Sequence, residues 1–352
     1  MRREHGRRIV REPASVVTTG TFDGVHLGHQ AIVRYLVERT REIGGIPTVV
    51  TFDPHPREIL RGEAVPLLTT LDERAERLAR LGVERFVVLP FSRDLSLLEP
   101  EDYVRDVLVE RIGMQDIVIG YDHRFGRQAR GDRALLNRLG ADLGFTVDVI
   151  PEQVEGDVTV SSTAIRRLLD AGDARGAAAL LGRPYRITGP VVRGDQRGRT
   201  IGYPTANVHP SNARKMIPRL GVYAVRVHLG DGTEAEGMMN VGRRPTFETD
   251  GATTVEVHLF DVDRDLYGRT LAVDVIARLR DEVRFDGPEA LVAQLGRDAV
   301  AAKARLRLGD GARLDQSAHS PCSRREATLS VLPPRSDASS AQPRLRRHGV
   351  AP

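Results

Sequence analysis

The sequence is short of several things, and each shortage excludes a class of protein. Its 352 residues include one cysteine, Cys322, so neither an intrachain disulfide nor a multi-cysteine zinc or iron–sulfur site can form. There is no tryptophan, and aromatic residues make up only 5% of the chain, which leaves little for base-stacking platforms. No run approaches the roughly 18 apolar residues of a membrane-spanning helix. The basic start, Met1-Arg2-Arg3-Glu4-His5-Gly6-Arg7-Arg8, leads into no apolar stretch of the secretory kind. Lysine is nearly missing: Lys215 and Lys303 are the only two, and the other cations are arginines. A soluble cytoplasmic protein with no membrane partner is expected.

The net charge of +4 is unevenly spread. Residues 1–12 and 309–352 each carry +3, which leaves −2 on residues 13–308. The basic excess is therefore expected in the two ends rather than on a face of the folded body, and no nucleic-acid partner is expected. At roughly 150 residues per domain the length suggests two domains.

From residue 14 to about 182, short apolar runs (Ser15–Thr19, Ile46–Phe52, Arg85–Leu89, Asp116–Ile119, Phe145–Ile150) alternate with amphipathic stretches. Ile32, Tyr35, Leu36 and Ile43 share one such face. Continuous apolar strands separated by helices predict a parallel sheet covered on both sides, a doubly wound α/β domain over residues 1–182 ending in helices Ser162–Ala171 and Asp173–Leu181. Near residue 183 the period changes. Tyr223, Val225, Val227 and Leu229, then Val255, Val257 and Leu259, then Leu271, Val273 and Val275 alternate with polar or small neighbours. This predicts an antiparallel sheet or barrel over residues 183–308, closed by a helix with Leu291, Leu295, Ala299, Ala302 and Leu306 on one stripe. From Gly309 on, Ser, Pro, Ala and Arg dominate, and residues 309–352 are expected to be disordered.

Gly20-Thr21-Phe22-Asp23-Gly24-Val25-His26-Leu27-Gly28-His29 follows the first strand and opens the first helix, the place where open α/β sheets bind ligands. Glycines admit close backbone approach, and a helix start attracts anions. Two imidazoles, at least one of them charged, would hold phosphate oxygens through a displacement. The stretch is neither a G-x-G-x-x-G fingerprint nor a Walker A loop. As alternatives, the glycines make an ordinary turn, the histidines a satisfied pair, or His26, His29 and His55 a zinc site with no familiar spacing. Ser161-Ser162-Thr163 reads locally as a helix cap. Gly189 to Asn207 reads as a glycine-rich surface loop, in which the Thr205 hydroxyl and the Asn207 amide oxygen are hard ligands suited to Mg²⁺.

The ten-residue stretch resembles the signature of the nucleotidyltransferase superfamily in the form carried by bacterial FAD synthetases. Thr51-Phe52-Asp53-Pro54-His55-Pro56, Gly120-Tyr121-Asp122-His123-Arg124-Phe125-Gly126 and Val160-Ser161-Ser162-Thr163-Ala164-Ile165-Arg166 resemble its further motifs in order, with His123 where the family has Phe. The resemblance implies transfer of AMP from ATP to FMN. Catalytic His26 and His29 would contact the ATP phosphates, and Gly20, Phe22, Asp23, Gly24, Gly28, Asp122, Ser162, Thr163 and Arg166 would bind the nucleotide. Gly189 to Asn207, Asn240-Val241-Gly242-Arg243-Arg244-Pro245-Thr246-Phe247 and Glu256 to Gly268 resemble riboflavin kinase motifs. There the implied roles are Glu256 as base, Gly194, Gly198, Gly202, Thr205 and Asn207 around ATP and flavin, and Mg²⁺ at Thr205 and Asn207. Together the halves resemble the bacterial bifunctional riboflavin kinase/FMN adenylyltransferase family, whose substrates are ATP, riboflavin and FMN. Another nucleotidyltransferase of the superfamily would leave the barrel without a task, and a non-catalytic flavin carrier would need none of these side chains.

Overall fold

The computed structural model describes residues 1–194, 197–243 and 253–315, and Met1–Gly311 form one compact unit. Strands β1 (Arg2–His5), β2 (Ser15–Thr19), β3 (Ile46–Asp53), β4 (Arg85–Pro90), β5 (Met114–Gly120) and β6 (Thr146–Ile150) make a parallel sheet in the order β1-β4-β3-β2-β5-β6. The order reverses at β2, between β3 and β5, so the turn after β2 opens at the switch point of the sheet. Valines and isoleucines on both faces, among them Val16, Val17, Val49 and Val50, are buried because helices cover both sides.

The covering helices are α1 (Leu27–Ile43), α2 (Pro56–Arg61), α3 (Leu71–Arg80), α4 (Arg93–Leu97), α5 (Pro100–Asp102), which runs into a π-helical segment Tyr103–Ile112, and α6 (Arg133–Leu143). A small antiparallel pair, β7 (Val154–Glu155) and β8 (Val158–Thr159), leads to α7 (Ser162–Ala171) and α8 (Ala174–Leu181). On α1, Leu36 is buried while Ile32, Tyr35 and Ile43 pack against the same core, as the spacing predicts.

The sheet elements end at Leu181, and β9 (Tyr185–Val192) begins a closed antiparallel barrel with β10 (Ala206–Val208), β11 (Gly221–His228), β12 (Glu234–Arg243), β13 (Thr253–Leu259) and β14 (Thr270–Arg280). Its interior holds Val225, Val227, Val255, Val257, Val273 and Val275. The short α9 (Arg197–Thr200) precedes β10, and α10 (Pro288–Asp315) lies outside the barrel, burying Ala302 and Leu306 against Val222, Ala224 and Met238.

Two expectations change at the chain ends. The basic N-terminus is part of the folded body: β1 pairs in parallel with β4 at the sheet edge. The reason is a buried ion pair that no apolar run announces. Arg85, 0% exposed, donates to both Glu4 carboxylate oxygens at 3.2 and 3.0 Å, and to Ser15 Oγ and the Ile112 carbonyl, each at 2.9 Å. Burial works to raise the pKa of Glu4 and is outweighed by the Arg85 hydrogen bond and by that from the Val10 N–H, so the carboxyl is held below its usual range. At the other end, α10 continues through residues 309–315, since extending a formed helix adds one hydrogen bond per residue. Residues 316–352, the rest of the segment expected to be disordered, lie outside the described residues.

Glu4→Ala strands the Arg85 guanidinium in the interior. It is expected to destabilise the protein by ~3–5 kcal/mol, the usual effect of removing one partner of a buried pair. Urea unfolding checks this as a lowered midpoint at unchanged slope; an unchanged midpoint means that β1 adds nothing to the fold.

Candidate active sites

The turn after β2 is tightly wound. Phe22, Gly24 and Val25 have φ of +48°, +87° and +42°, a left-handed course that only the glycine adopts without strain. A Cβ at Gly24 would stand 3.0 Å from Leu68 Cδ1. The strained residues are held by Asp23, whose carboxylate is fully buried. One oxygen accepts from the Leu68 N–H at 3.0 Å, the other from the Thr69 N–H at 2.8 Å and its hydroxyl at 3.1 Å. Arg74 and Arg166 also bond it. Burial works to raise its pKa, but these two guanidiniums and the backbone donors prevail and hold it low.

The resemblance implies that Asp23 binds the nucleotide; in the structure its carboxylate is buried among internal partners. Its lone pairs are taken up internally, and its place in the site is to hold Arg166 and the 68–70 loop. Phe22 is likewise buried and leans on the His29 ring at 4.9 Å between centroids.

His26 caps α1, its Nδ1 accepting from the His29 backbone N–H at 3.3 Å, which puts the ring proton on Nε2. The two imidazoles stack with centroids 3.6 Å apart, and a Cβ at Gly28 would crowd His26 at 3.3 Å. Against the expectation that at least one imidazole is charged, burial pushes both toward the neutral form. Burial, which the nearby Asp23 only partly opposes, lowers His26 to about 4. Burial and the neighbouring His26 push His29 well below the usual value. With both pKa values lowered, the stacked pair is held toward its neutral form and offers N–H donors.

Beside the turn is a cavity of about 710 Å³. Gly20, Thr21, Ser162, Thr163 and Arg166 line it, whereas His26, His29 and Asp122 are not part of its wall. Asp122 is exposed on the loop after β5, and its neighbour His123 lines the cavity, stacked on Phe125 at 5.7 Å. Ser161 performs the capping of α7, accepting from the Ala164 N–H at 3.2 Å; Ser162 Oγ instead donates to the Asp23 carbonyl at 2.8 Å. The zinc alternative finds no support: among the described residues no group of three or more His, Cys, Asp and Glu is arranged to hold a metal ion.

Two contributors carry no local sequence signal. Arg183, between α8 and β9, donates to the Gly24 and Val25 carbonyls of the turn from beyond residue 182. Tyr103, at the start of the π-helical segment, shares a hydrogen bond of 3.0 Å with Thr19 at the end of β2 and lines the cavity.

In the barrel, Asn207 of β10 pairs in register with Glu256 of β13, which pairs in register with Asn240 of β12. Cross-strand partners share a face, so the three stand in one row outside the barrel. The motif around Asn240 is visible in the sequence, but its alignment beside Glu256 is a property of the register. Gly194 faces Asn207 so closely that a Cβ would stand 2.3 Å from Nδ2. Gly198 meets the Tyr203 carbonyl at 2.2 Å in the same sense, and Gly202 has φ +81°. His258 Nδ1 stands 2.8 Å from the Pro204 carbonyl and ties the Thr205 turn to β13.

Thr205 lies on the wall of two cavities. One, of about 300 Å³, contains Glu256, Asn240 and the α10 residues Leu291 and Leu295; the other, of about 290 Å³, contains Arg199, Asp265 and Tyr267. Arg280 grips Asp298 through contacts of 2.7–3.0 Å and so holds α10 over the first. Gly198, Thr205 and Glu256 share one cavity wall, Gly194 lies against Asn207, and the expected flap contains α9, with residues 195–196 outside the described residues. Arg244 to Phe247 of the second motif also lie outside them.

The histidine burial has a pH consequence. His26, His55 and His123 are lowered to about 4, each chiefly by burial, and His29 well below its usual value. Between about pH 6.5 and 4 the unfolded chain takes up protons that the folded chain refuses. Stability is thus full above pH 6.5 and is lost toward pH 4, at ~1.4 kcal/mol per pH unit for each such histidine. Urea midpoints at pH 7.5, 6 and 5 measure the slope, and His123→Phe is expected to flatten it. A flat profile in the parent protein means that the imidazoles are hydrated.

Residues 9–164 match the family described as FAD synthetase, and residues 181–306 that described as riboflavin kinase. The bifunctional riboflavin kinase/FMN adenylyltransferase of Pseudomonas fluorescens is 41% identical over 82% of this chain and 92% of its own length; that of Listeria monocytogenes is 39% identical over 80% and 90%. A solved structure described as a macrolide-efflux protein from Streptococcus pneumoniae superposes with a TM-score of 0.76 at 32% identity, covering 84% of this chain and 95% of that one. Its name speaks of another process, and among the described residues here no helix is long and apolar enough to cross a membrane. With relatives this similar over most of both lengths, the chain belongs to the bifunctional riboflavin kinase/FMN adenylyltransferase family.

Proposed function

We propose that the family's two reactions are divided within the chain near residues 182 and 183, with adenylyl transfer at the sheet and riboflavin phosphorylation at the barrel. The observation that carries this division is the pair of separate polar sites, one at the switch point of the sheet and one on the Asn207–Glu256–Asn240 row.

At the sheet, ATP enters the large cavity with its phosphates toward the turn at Gly20 and the start of α7. His26 and His29 act as neutral donors to phosphate oxygens, while Ser162, Thr163 and Arg166 hold the departing pyrophosphate. Both reactants are anions, so positioning and charge neutralisation carry most of the catalysis. Asp122 belongs to the nucleotide loop, with His123 beneath it. At the barrel, riboflavin takes the cavity under α10, where Leu291 and Leu295 suit a flat ring system, and ATP takes the one beside Tyr267.

Glu256 accepts the proton of the ribityl hydroxyl as that oxygen attacks the γ-phosphate of ATP. Mg²⁺ bound to the nucleotide supplies charge neutralisation at the phosphates. Thr205 and Asn207 fit it as neutral oxygen donors: Thr205 stands at the wall between the two cavities, and Gly194 leaves room around the Asn207 amide. Nothing in the charge of residues 13–308 calls for a nucleic-acid partner, and a cytoplasmic location fits the need for ATP.

Separating the flavins made from riboflavin, ATP and Mg²⁺ by paired variants tests the division. His29→Ala is expected to lower FAD formation by ~10²–10³ while FMN accumulates. Glu256→Gln keeps size and hydrogen-bonding reach but cannot take a proton. It is expected to slow riboflavin phosphorylation by ~10²–10⁴ and to spare conversion of supplied FMN to FAD. Loss of FMN formation in His29→Ala, or loss of the conversion of supplied FMN to FAD in Glu256→Gln, without a drop in thermal stability, would contradict separate sites.

A further inference from the structure

Among the side chains that the barrel half sends into the sheet region is a buried lysine. Lys215, between β10 and β11, is 5% exposed, and the buried cations elsewhere among the described residues, Arg74, Arg85 and Arg226, are arginines. In a chain with two lysines, an ammonium is thus kept where a compact, rotatable donor is needed and a planar guanidinium is not. Its Nζ donates to the Leu68 carbonyl at 2.8 Å and to Glu73 Oε2 at 2.6 Å, and it sits 4.8 Å from the centre of the Tyr185 ring. The backbone joins in: Leu67 N–H donates to the Arg214 carbonyl at 2.7 Å, and Met216 N–H to the Leu67 carbonyl at 2.9 Å.

What Lys215 grips is the loop that holds the turn of the other site. Leu68 and Thr69 present their N–H groups to Asp23, Thr69 Oγ1 accepts from the Gly24 N–H at 2.9 Å, and Glu73 Oε2 also accepts from the Thr70 N–H at 3.0 Å. Asp23 in turn bonds Arg166, whose Nε donates to the Pro66 carbonyl at 2.7 Å, within the same loop. From Lys215 to Asp23 and Arg166 the links are hydrogen bonds between buried or half-buried groups, where a shift of one partner displaces the next.

We propose that Lys215, a residue of the barrel, is a positioning residue for adenylyl transfer: it fixes the 68–70 loop, which fixes Asp23, which aims the Arg166 guanidinium at the edge of the nucleotide cavity. The proposal rests on the reading above in which Arg166 contacts ATP. It makes the kinase half a structural part of the adenylyltransferase site while Lys215 itself touches no substrate.

The test is a double-mutant cycle in the full chain, with both reactions assayed. Lys215→Met is expected to lower kcat/KM for ATP in FMN adenylylation by ~10–100-fold, the usual effect of misplacing a binding group from a distance. Riboflavin phosphorylation, the activity of the domain that contains Lys215, is expected to be unchanged. In an Arg166→Ala background the same substitution is expected to have little further effect, because the relay then has no end. If Lys215→Met fails to fold, Lys215→Met with Glu73→Gln removes the unpaired carboxylate while the glutamine can still accept from Thr70, and the same selective loss is expected.

Equal losses of both reactions make Lys215 simply part of the barrel core and overturn the proposal. So does a loss of adenylylation of equal size with and without Arg166, or no loss at all. Arg166→Ala with full adenylylation has a different signature: it refutes the role given to Arg166 and removes the relay with it.

Discussion

The structure depends most on one buried carboxylate. Asp23 lies in a strained turn, receives the backbone N–H groups of Leu68 and Thr69, and meets two guanidiniums from different helices, Arg74 of α3 and Arg166 of α7. An unpaired charge in that position would be prohibitive, so the turn, the loop and both helices must arrive together for any of them to be stable. The left-handed residues Phe22 and Val25 persist because this network over-determines them. The Gly20 turn thereby comes to the switch point of the sheet, with the start of α7 beside the same cavity.

The barrel achieves rigidity differently. Its register does the work: in-register pairing places Asn207, Glu256 and Asn240 side by side, and valines on the alternate positions fill the interior. The outer face is covered by α10, held through the Arg280–Asp298 contact, so a cavity of about 300 Å³ forms between strand and helix rather than inside the barrel. Sheet and barrel then share a network of hydrogen bonds through Arg183 and Lys215, both contributed from beyond α8 to the neighbourhood of the Gly20 turn.

Much of this was legible in the sequence because it is local. Apolar runs mark β2 to β6 within a residue or two, α7 spans Ser162–Ala171 as expected, and the period-2 runs of Tyr223, Val255 and Leu271 fall on barrel strands but for Leu229, one residue past β11. The family motifs depend on short spacings, so Gly20 to His29, Ser162 to Arg166 and Thr205 to Glu256 could be singled out before any tertiary information. β1 was missed because Arg2–His5 carries no apolar pattern; its place is set by the Glu4–Arg85 pair, 81 residues apart in the chain.

The sequence by itself therefore determined the two architectures, the change of period near residue 183 and the motif residues, since each is written within about one turn or one strand of chain. Only the tertiary structure decided what those residues experience. Asp23 is an internal anchor because its partners come from residues 68–74 and 166. His26 and His29 became neutral because burial, a property of the whole packed body, outweighs the charge that an exposed helix start would favour. Protonation and partnership of buried groups are fixed by desolvation and by contacts distant in the chain, and no local spacing contains them.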